Sequence, residues 1–246
     1  MIKAVIFDFG QTLVDSADGF RAAEKEIQSK IYSDLLSISG IESRESFLDV
    51  YRSIRNKNHQ KSIFSRVATW QGVYRHYHAE PDLQRFEKWE TSYWEKVKTK
   101  TRIFPETQQV LGSLSTSYRL ALITNTQGQK TTQTHRLSEY PELENFFEVT
   151  IVAGEGGVPP KPDPKPFRLC LKKLGLTSSE AVYVGDDWRI DICGAKNAGL
   201  RPVWLKHRSV RRNWPVVETS VPVITSLKQL LNLNEVLDHE IRKPSS

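Results

Sequence analysis

Val5-Ile6-Phe7-Asp8 is an apolar run that stops on a carboxylate, and two later stretches repeat the pattern. Leu120-Ala121-Leu122-Ile123 runs into Thr124-Asn125, and Ala181-Val182-Tyr183-Val184 runs into Gly185-Asp186-Asp187. Short continuous apolar runs separated by helical stretches read as buried strands of a parallel sheet, whose ligands bind beyond the strands' carboxyl ends. Asp8, Thr124 and Asp186 are therefore expected at one edge. The segment Val158-Pro159-Pro160-Lys161-Pro162-Asp163-Pro164 can bring an ammonium to the same edge, because its prolines stiffen an extended approach. Carboxylates, a hydroxyl and an ammonium together suggest a Mg²⁺-assisted phosphate site.

Between these strands the chain changes character. From about Asp15 to Lys100 there is no convincing β run, and Gly72 is the only glycine between Ile41 and Thr101. Phe47, Val50, Tyr51 and Ile54 recur at helical spacing, as do Phe86, Trp89, Tyr93 and Val97, which reads as an all-helical insert. Such aromatic stripes are more often core than a substrate cage. From Phe104-Pro105 onward helix and strand alternate again. Helices are expected through Val110, Leu111 and Leu114, up to about Leu137, from Pro166 to Leu174 before Gly175, up to Ala198 before Gly199, and from Ser226 to about Leu231. Strands are expected at Val149–Val152 and Pro202–Leu205. The alternation specifies a doubly wound, mainly parallel α/β sheet. The tail from Glu240 is expected to fray.

The chain has 246 residues, long enough for a substantial core, and 35 Lys+Arg against 29 Asp+Glu give a formal net charge of +6. That balance favours small acidic partners or polyanions. The densest basic run, Lys206-His207-Arg208 through Arg211-Arg212, has only Trp204 and Trp214 nearby and no nucleic-acid motif around it, so it reads as a solvated loop. Two cysteines, Cys170 and Cys193, lie inside expected helices without a C-x-x-C partner, which argues against a disulfide framework and points to a reducing cytoplasm. No apolar stretch approaches the roughly 20 residues of a membrane helix. Gly154-Glu155-Gly156-Gly157 lacks dinucleotide-loop spacing and leads into prolines rather than a helix.

Each strand end offers a chemical role. Asp8, followed by a turn through Gly10, presents a carboxylate that can attack phosphorus and split one displacement into two. Asp186 and Asp191 add hard oxygen ligands of the kind Mg²⁺ prefers. Asp187 reads as the N-cap of the helix through Ile190 and Ala195. The Thr124 hydroxyl and the Asn125 backbone N–H can donate to phosphoryl oxygens, and Lys161 can screen repulsion between an anionic nucleophile and an anionic substrate.

These segments resemble the haloacid dehalogenase (HAD) superfamily of hydrolases, in the branch with a helical cap inserted after the first motif. Asp8-Phe9-Gly10-Gln11-Thr12-Leu13-Val14-Asp15-Ser16 resembles its nucleophile loop, and Ile123-Thr124-Asn125 its second motif. Lys161-Pro162-Asp163-Pro164 resembles the third, and Val184-Gly185-Asp186-Asp187 with Asp191, Gly194-Ala195 and Ala198-Gly199 the fourth. The resemblance implies an α/β core from residues 1–14 and 102–246, a helical cap at 15–101, and hydrolysis of a small phosphorylated metabolite. It further implies Asp8 as nucleophile, Thr124 and Lys161 as phosphate binders, and Mg²⁺ held by Asp8, Asp186 and the Gly10 carbonyl, with Asp191 acting directly or through water.

Position 10 departs from the pattern, because the family's phosphatases carry a second Asp there. Glycine keeps the carbonyl but loses the general acid, a role worth roughly 10²- to 10⁴-fold in rate. Three accounts compete. The leaving group needs no proton, as with an acyl phosphate, a phosphonate or a halide; a neighbour such as Asp15, Gln11, His59, His76 or His78 substitutes; or the chain is an impaired phosphate-binding or regulatory protein. Retained Asp186 and Asp191 argue against metal-free halide chemistry. Phosphonate cleavage calls for a cap lysine, which the sequence does not single out among Lys25, Lys30, Lys57 and Lys61.

Overall fold

The computed structural model describes residues 1–37, 41, 43–126, 136–210 and 214–238. These fall into two compact units. One contains Met1–Asp15, Arg102–Thr126 and the described residues from 136 onward, and the other contains Ser16–Thr101.

The first unit is built on β1 (Ala4–Phe7), β2 (Val14–Asp15), β3 (Arg102–Ile103), β4 (Arg119–Asn125), β5 (Val149–Ala153), β6 (Ala181–Gly185), β7 (Arg201–Leu205) and β8 (Val223–Ile224). Six of these form a parallel sheet in the order β5-β4-β1-β6-β7-β8. β2 and β3 make a separate antiparallel pair. β1 pairs with β4 on one side and β6 on the other, with Phe7 opposite Leu122 and Val184. The chain order reverses at β1, which opens a crevice beyond its carboxyl end.

Why these runs lack alternation is visible in the packing. Val5 and Phe7 face a core with Leu111, Leu114, Leu227 and Leu230, whereas Ala4 and Ile6 face Phe167, Leu171 and Leu174. A strand covered on both faces has no polar side to show. The covering helices are α5 (Thr107–Ser115), α7 (Pro164–Leu174), α8 (Cys193–Asn197) and α9 (Leu233–Asp238), with the short α6 at Pro141–Glu144.

Several elements differ from the expectations. α7 starts at Pro164 rather than Pro166, because the Asp163 carboxylate accepts from Lys165 N and proline suits the first turn. Ser226 does start a helix, but its first stretch, Leu227–Asn232, is 3₁₀ before α9 takes over. The helix expected to reach Leu137 falls largely outside the described residues, and Arg136–Glu139 is a 3₁₀ turn. The tail from Glu240 and Arg211-Arg212 also lie outside them. In the described part of the basic run, His207 is buried against Glu106 instead of solvated, and Lys206 Nζ sits 3.9 Å over the Trp204 ring. β2, β3 and β8 carry no signal in the sequence, since two residues show no periodicity.

The second unit consists of α1 (Ala17–Leu36), α2 (Arg44–Gln60), α3 (Arg66–His76) and α4 (Leu83–Thr99). Ser43, Ser65 and Asp82 cap α2, α3 and α4 by accepting from backbone N–H groups three residues on. Phe47, Tyr51, Phe86, Tyr93 and Val97 are buried in its own core, as their spacing suggests, with Ile54 and Trp89 partly buried against it; Trp70 and Tyr74 join the core, and Val50 is not among its residues. Inside it the Tyr51 and Tyr93 hydroxyls both donate to Glu24 and the Tyr74 hydroxyl donates to Asp34, whereas the buried Tyr77 hydroxyl at its edge has no partner among the described residues. No helix among the described residues is long and apolar enough to cross a membrane.

Candidate active site

Asp8 follows β1 directly, and its backbone N–H donates to the Val184 carbonyl at 2.9 Å, so the loop leaves the strand while still tied to β6. Its side chain is pinned from two sides. Lys161 Nζ donates to Oδ1 at 2.7 Å, and Thr12 Oγ makes a long 3.4 Å contact with Oδ2. Two residues on, Gly10 bridges to Val14, and Gln11 takes the left-handed conformation at φ 62° that tightens this turn.

Lys161 is almost fully buried, which for a lysine requires strong compensation. Asp8 and Asp191 provide it, each with a carboxylate oxygen 2.7 Å from Nζ. Burial works to lower the lysine pKa, but the two carboxylates outweigh it and raise it. The loop carrying Lys161 is held by Asn125, whose Oδ1 accepts from Lys161 N at 2.8 Å and whose Nδ2 donates to the Lys161 carbonyl at 3.2 Å. The Asn125 side chain is thus spent on positioning that loop. Thr124 is buried near the end of β4, one residue after the Ile123 carbonyl that Lys161 Nζ also contacts.

The third side of the site comes from β6 and the turn after it. Asp187 caps that turn by accepting from Ile190 N, as its position suggests. One π-helical turn, Trp188–Ile192, then precedes α8 and carries Asp191 back under the strand end. Asp191 Oδ2 accepts from Asp187 N at 3.0 Å, and Oδ1 accepts from Lys161 and from the Tyr183 hydroxyl. Gly185 permits this return, because a Cβ there would stand 2.5 Å from Asp191 Cβ. Gly194 serves α8 likewise, since a Cβ would come within 2.9 Å of the Phe167 ring and 3.1 Å of Pro162 Cα. Asp186 is held through its main chain, whose carbonyl accepts from Trp204 Nε1 at 2.8 Å.

Asp8, Asp186 and Asp191 are all buried and can each turn one carboxylate oxygen to within 4.8 Å of the others. Three carboxylates against one ammonium leave this cluster two charges negative when all are ionised. Burial, with further repulsion from Asp8 and Asp187, pushes Asp191 up to about 6 despite its lysine partner. An all-oxygen donor set with a surplus of two negative charges fits a hard divalent cation such as Mg²⁺. Of the residues anticipated from sequence, Asp8, Asp186, Asp191, Lys161 and Asn125 are joined directly by contacts or proximity, Thr124 adjoins them along β4, and Gly10 lies in the Asp8 turn. Tyr183 and Trp204 were missed. Both sit inside apolar runs, where the only clue is a polar atom on an otherwise hydrocarbon strand.

A family model described as haloacid dehalogenase-like hydrolase matches residues 5–205. A glyceraldehyde 3-phosphate phosphatase of Pyrococcus furiosus is 28% identical over 247 residues, spanning 97% of this chain and 94% of that protein. The crystal structure of a HAD phosphatase from Thermococcus onnurineus matches with a TM-score of 0.65 at 25% identity, covering 95% of this chain and 98% of that one. A 2-haloacid dehalogenase from Pseudomonas syringae pv. Tomato gives 0.62 at 27% identity, covering 96% and 98%. Phosphatase and dehalogenase share this backbone, so the choice between them rests on side chains.

Proposed function

We propose that this chain, which belongs to the haloacid dehalogenase-like hydrolase family, is a Mg²⁺-dependent phosphatase that acts through Asp8 on a small phosphorylated metabolite. The observation that carries the reading is the buried cluster in which Lys161 joins Asp8 to Asp191 with Asp186 close by. Burying three acids around one lysine is costly unless a cation and an anionic substrate complete the charge balance. Displacement of a halide by a carboxylate needs no such cation, so the two further acids favour phosphate chemistry. The Pyrococcus furiosus relative, named for glyceraldehyde 3-phosphate, supports a small phosphate ester as substrate.

In this reading Asp8 attacks phosphorus, the P–O bond to the leaving group breaks, and water then hydrolyses the aspartyl-phosphate to regenerate Asp8 and release phosphate. Lys161 and the Thr124 hydroxyl bind phosphoryl oxygens, joined by the Asn125 backbone N–H. Asp8, Asp186, Asp191 and the Gly10 carbonyl would hold Mg²⁺, which when bound offsets the charge of the phosphoryl group. The Asn125 side chain keeps Lys161 in reach. The helical unit acts as a cap that excludes water during turnover. Gly10 brings no acid, so with an alkyl phosphate the leaving group's proton comes from another residue or from water, and esters whose leaving group needs less help from a proton turn over faster.

The deciding experiment assays phosphate and halide release with and without a chelator, for wild type and Asp8→Asn. Phosphate release that stops with chelator and is abolished in a folded Asp8→Asn enzyme is the expected result. Metal-independent halide release, or turnover retained in Asp8→Asn, would remove the reading.

A further inference from the structure

Lys161 has more acceptors around its ammonium than it has protons. Nζ lies 2.7 Å from Asp8 Oδ1, 2.7 Å from Asp191 Oδ1, 2.8 Å from the Tyr183 hydroxyl and 2.9 Å from the Ile123 carbonyl. An ammonium carries three N–H donors. The two carboxylates claim two of them, leaving the third to the carbonyl and the phenol. Tyr183 is the one member of this set that can change role. It can accept from Nζ, or aim its own O–H at Asp191 Oδ1, 3.0 Å away, or at the Ile123 carbonyl, 3.3 Å away. The ring is fully buried and packs edge-on against Phe167 with centroids 5.0 Å apart, so the hydroxyl rotates in place rather than leaving. A phenol, whose ordinary pKa is about 10, keeps its proton at neutral pH and remains a donor.

We infer that Tyr183 is a positioning residue whose hydroxyl frees an N–H of Lys161 for a phosphoryl oxygen. The inference rests on the reading of Lys161 as a phosphate binder. When Lys161 turns one N–H to the incoming phosphoryl group, the Ile123 carbonyl or Asp191 Oδ1 loses a donor at a depth where burial makes an unsatisfied acceptor costly. The Tyr183 O–H takes over that acceptor. The lysine therefore changes partner without leaving a buried oxygen unpaired, and the phenol does this without touching phosphate itself. In a strand otherwise made of Ala, Val and Gly, this accounts for a buried phenol where a phenyl ring would fill the same space.

Tyr183→Phe is the test, read by inhibition with inorganic phosphate, by KM and kcat for a phosphate ester, and by the Mg²⁺ concentration for half-maximal activity. The inhibition constant for phosphate and KM should both rise about tenfold, about 1.4 kcal/mol, which lies within the cost of one unsatisfied buried acceptor. The change in kcat should be under about threefold, the mark of an interaction used in binding. The Mg²⁺ requirement should stay within about twofold of wild type. Tyr183→Met, which also removes the hydroxyl but packs differently, should lose phosphate affinity in the same way, so either soluble variant decides. An unchanged phosphate inhibition constant overturns the inference while leaving the phosphatase reading intact. A rise that only accompanies a weaker Mg²⁺ response also overturns it, because Tyr183 would then be shaping Asp191 instead of freeing Lys161. A wild-type enzyme that neither binds phosphate nor releases it overturns both.

Discussion

Replacing Gly185 by alanine is the smallest change that should dismantle the acidic cluster. The added Cβ would lie 2.5 Å from Asp191 Cβ, 2.6 Å from Cγ and 2.8 Å from Oδ2, whereas ordinary contact begins at 3.4 Å. Asp191 must retreat by about 0.9 Å, the shortfall in the closest of these contacts. Its hydrogen bonds to Lys161 at 2.7 Å and to Asp187 N at 3.0 Å cannot both survive such a shift. Breaking a buried ion pair costs about 3 to 5 kcal/mol, and Asp8 remains as a second partner for the lysine, so the low end is expected. For a domain of 150 to 250 residues, about 3 kcal/mol lowers Tm by roughly 6 to 12 °C. A catalytic group displaced by about 1 Å loses on the order of 10²-fold in rate. Thermal unfolding and kcat/KM for a phosphate ester in saturating Mg²⁺ measure the two effects. Gly112→Ala is the matched control, because a Cβ there meets only the Phe146 ring at 3.9 Å, and alanine inside α5 should be neutral or stabilising by up to about 1 kcal/mol. If Gly185→Ala melts within 2 °C of wild type, a shift below about 1 kcal/mol, and keeps at least half its kcat/KM, the packing of Asp191 against Gly185 is not what holds the site.

Asp186→Ala should raise the Mg²⁺ concentration for half-maximal activity by about tenfold or more, since it removes one of three clustered carboxylates; a superimposable metal titration would assign Asp186 to the turn alone. Gly10→Asp should speed hydrolysis of alkyl phosphates, whose poor leaving groups need a proton, by at least about tenfold more than that of aryl or acyl phosphates. No change, or a fall, with Mg²⁺ affinity preserved would point to a resident acid or to a substrate that leaves unprotonated. Away from the site, burial acts to raise the Glu106 pKa, but its own backbone N–H, His207 and Ser226 prevail and hold it below 4.5. A depressed carboxylate contributes stability above its unfolded pKa and loses it as pH falls through the folded value. The stability difference between wild type and Glu106→Gln should therefore be complete at pH 7 and shrink below about pH 4.5 in denaturant titrations. A difference that grows on acidification would reverse the assignment.

The parallel sheet could be read from the chain because each buried strand is a local run covered on both faces, and Val5-Ile6-Phe7 or Ala181-Val182-Tyr183-Val184 needs no partner to declare itself. Asp8, Asp186 and Lys161 stood out for the same reason: each occupies a strand end or a proline-stiffened loop, and a parallel sheet gathers such ends at one edge, whereas Asp191 comes back to that edge on the π turn. Gly175 after α7 and Asp187 before the π turn likewise act on their immediate neighbours. Contacts across the sheet were beyond the reach of any one segment. Asn125 stands out for its backbone N–H, and only the structure shows the second use, in which its side chain holds Lys161, 36 residues away in sequence. Tyr183 and Trp204 looked like core, and both reach into the polar cluster. His207 looked like part of a solvated basic run, and Glu106, itself held by the Ser226 hydroxyl, draws it inside. Hydrophobic periodicity says which way a side chain points relative to its own strand. Which polar atom it meets there depends on the register of strands far apart in the chain, and that is settled only when the sheet assembles.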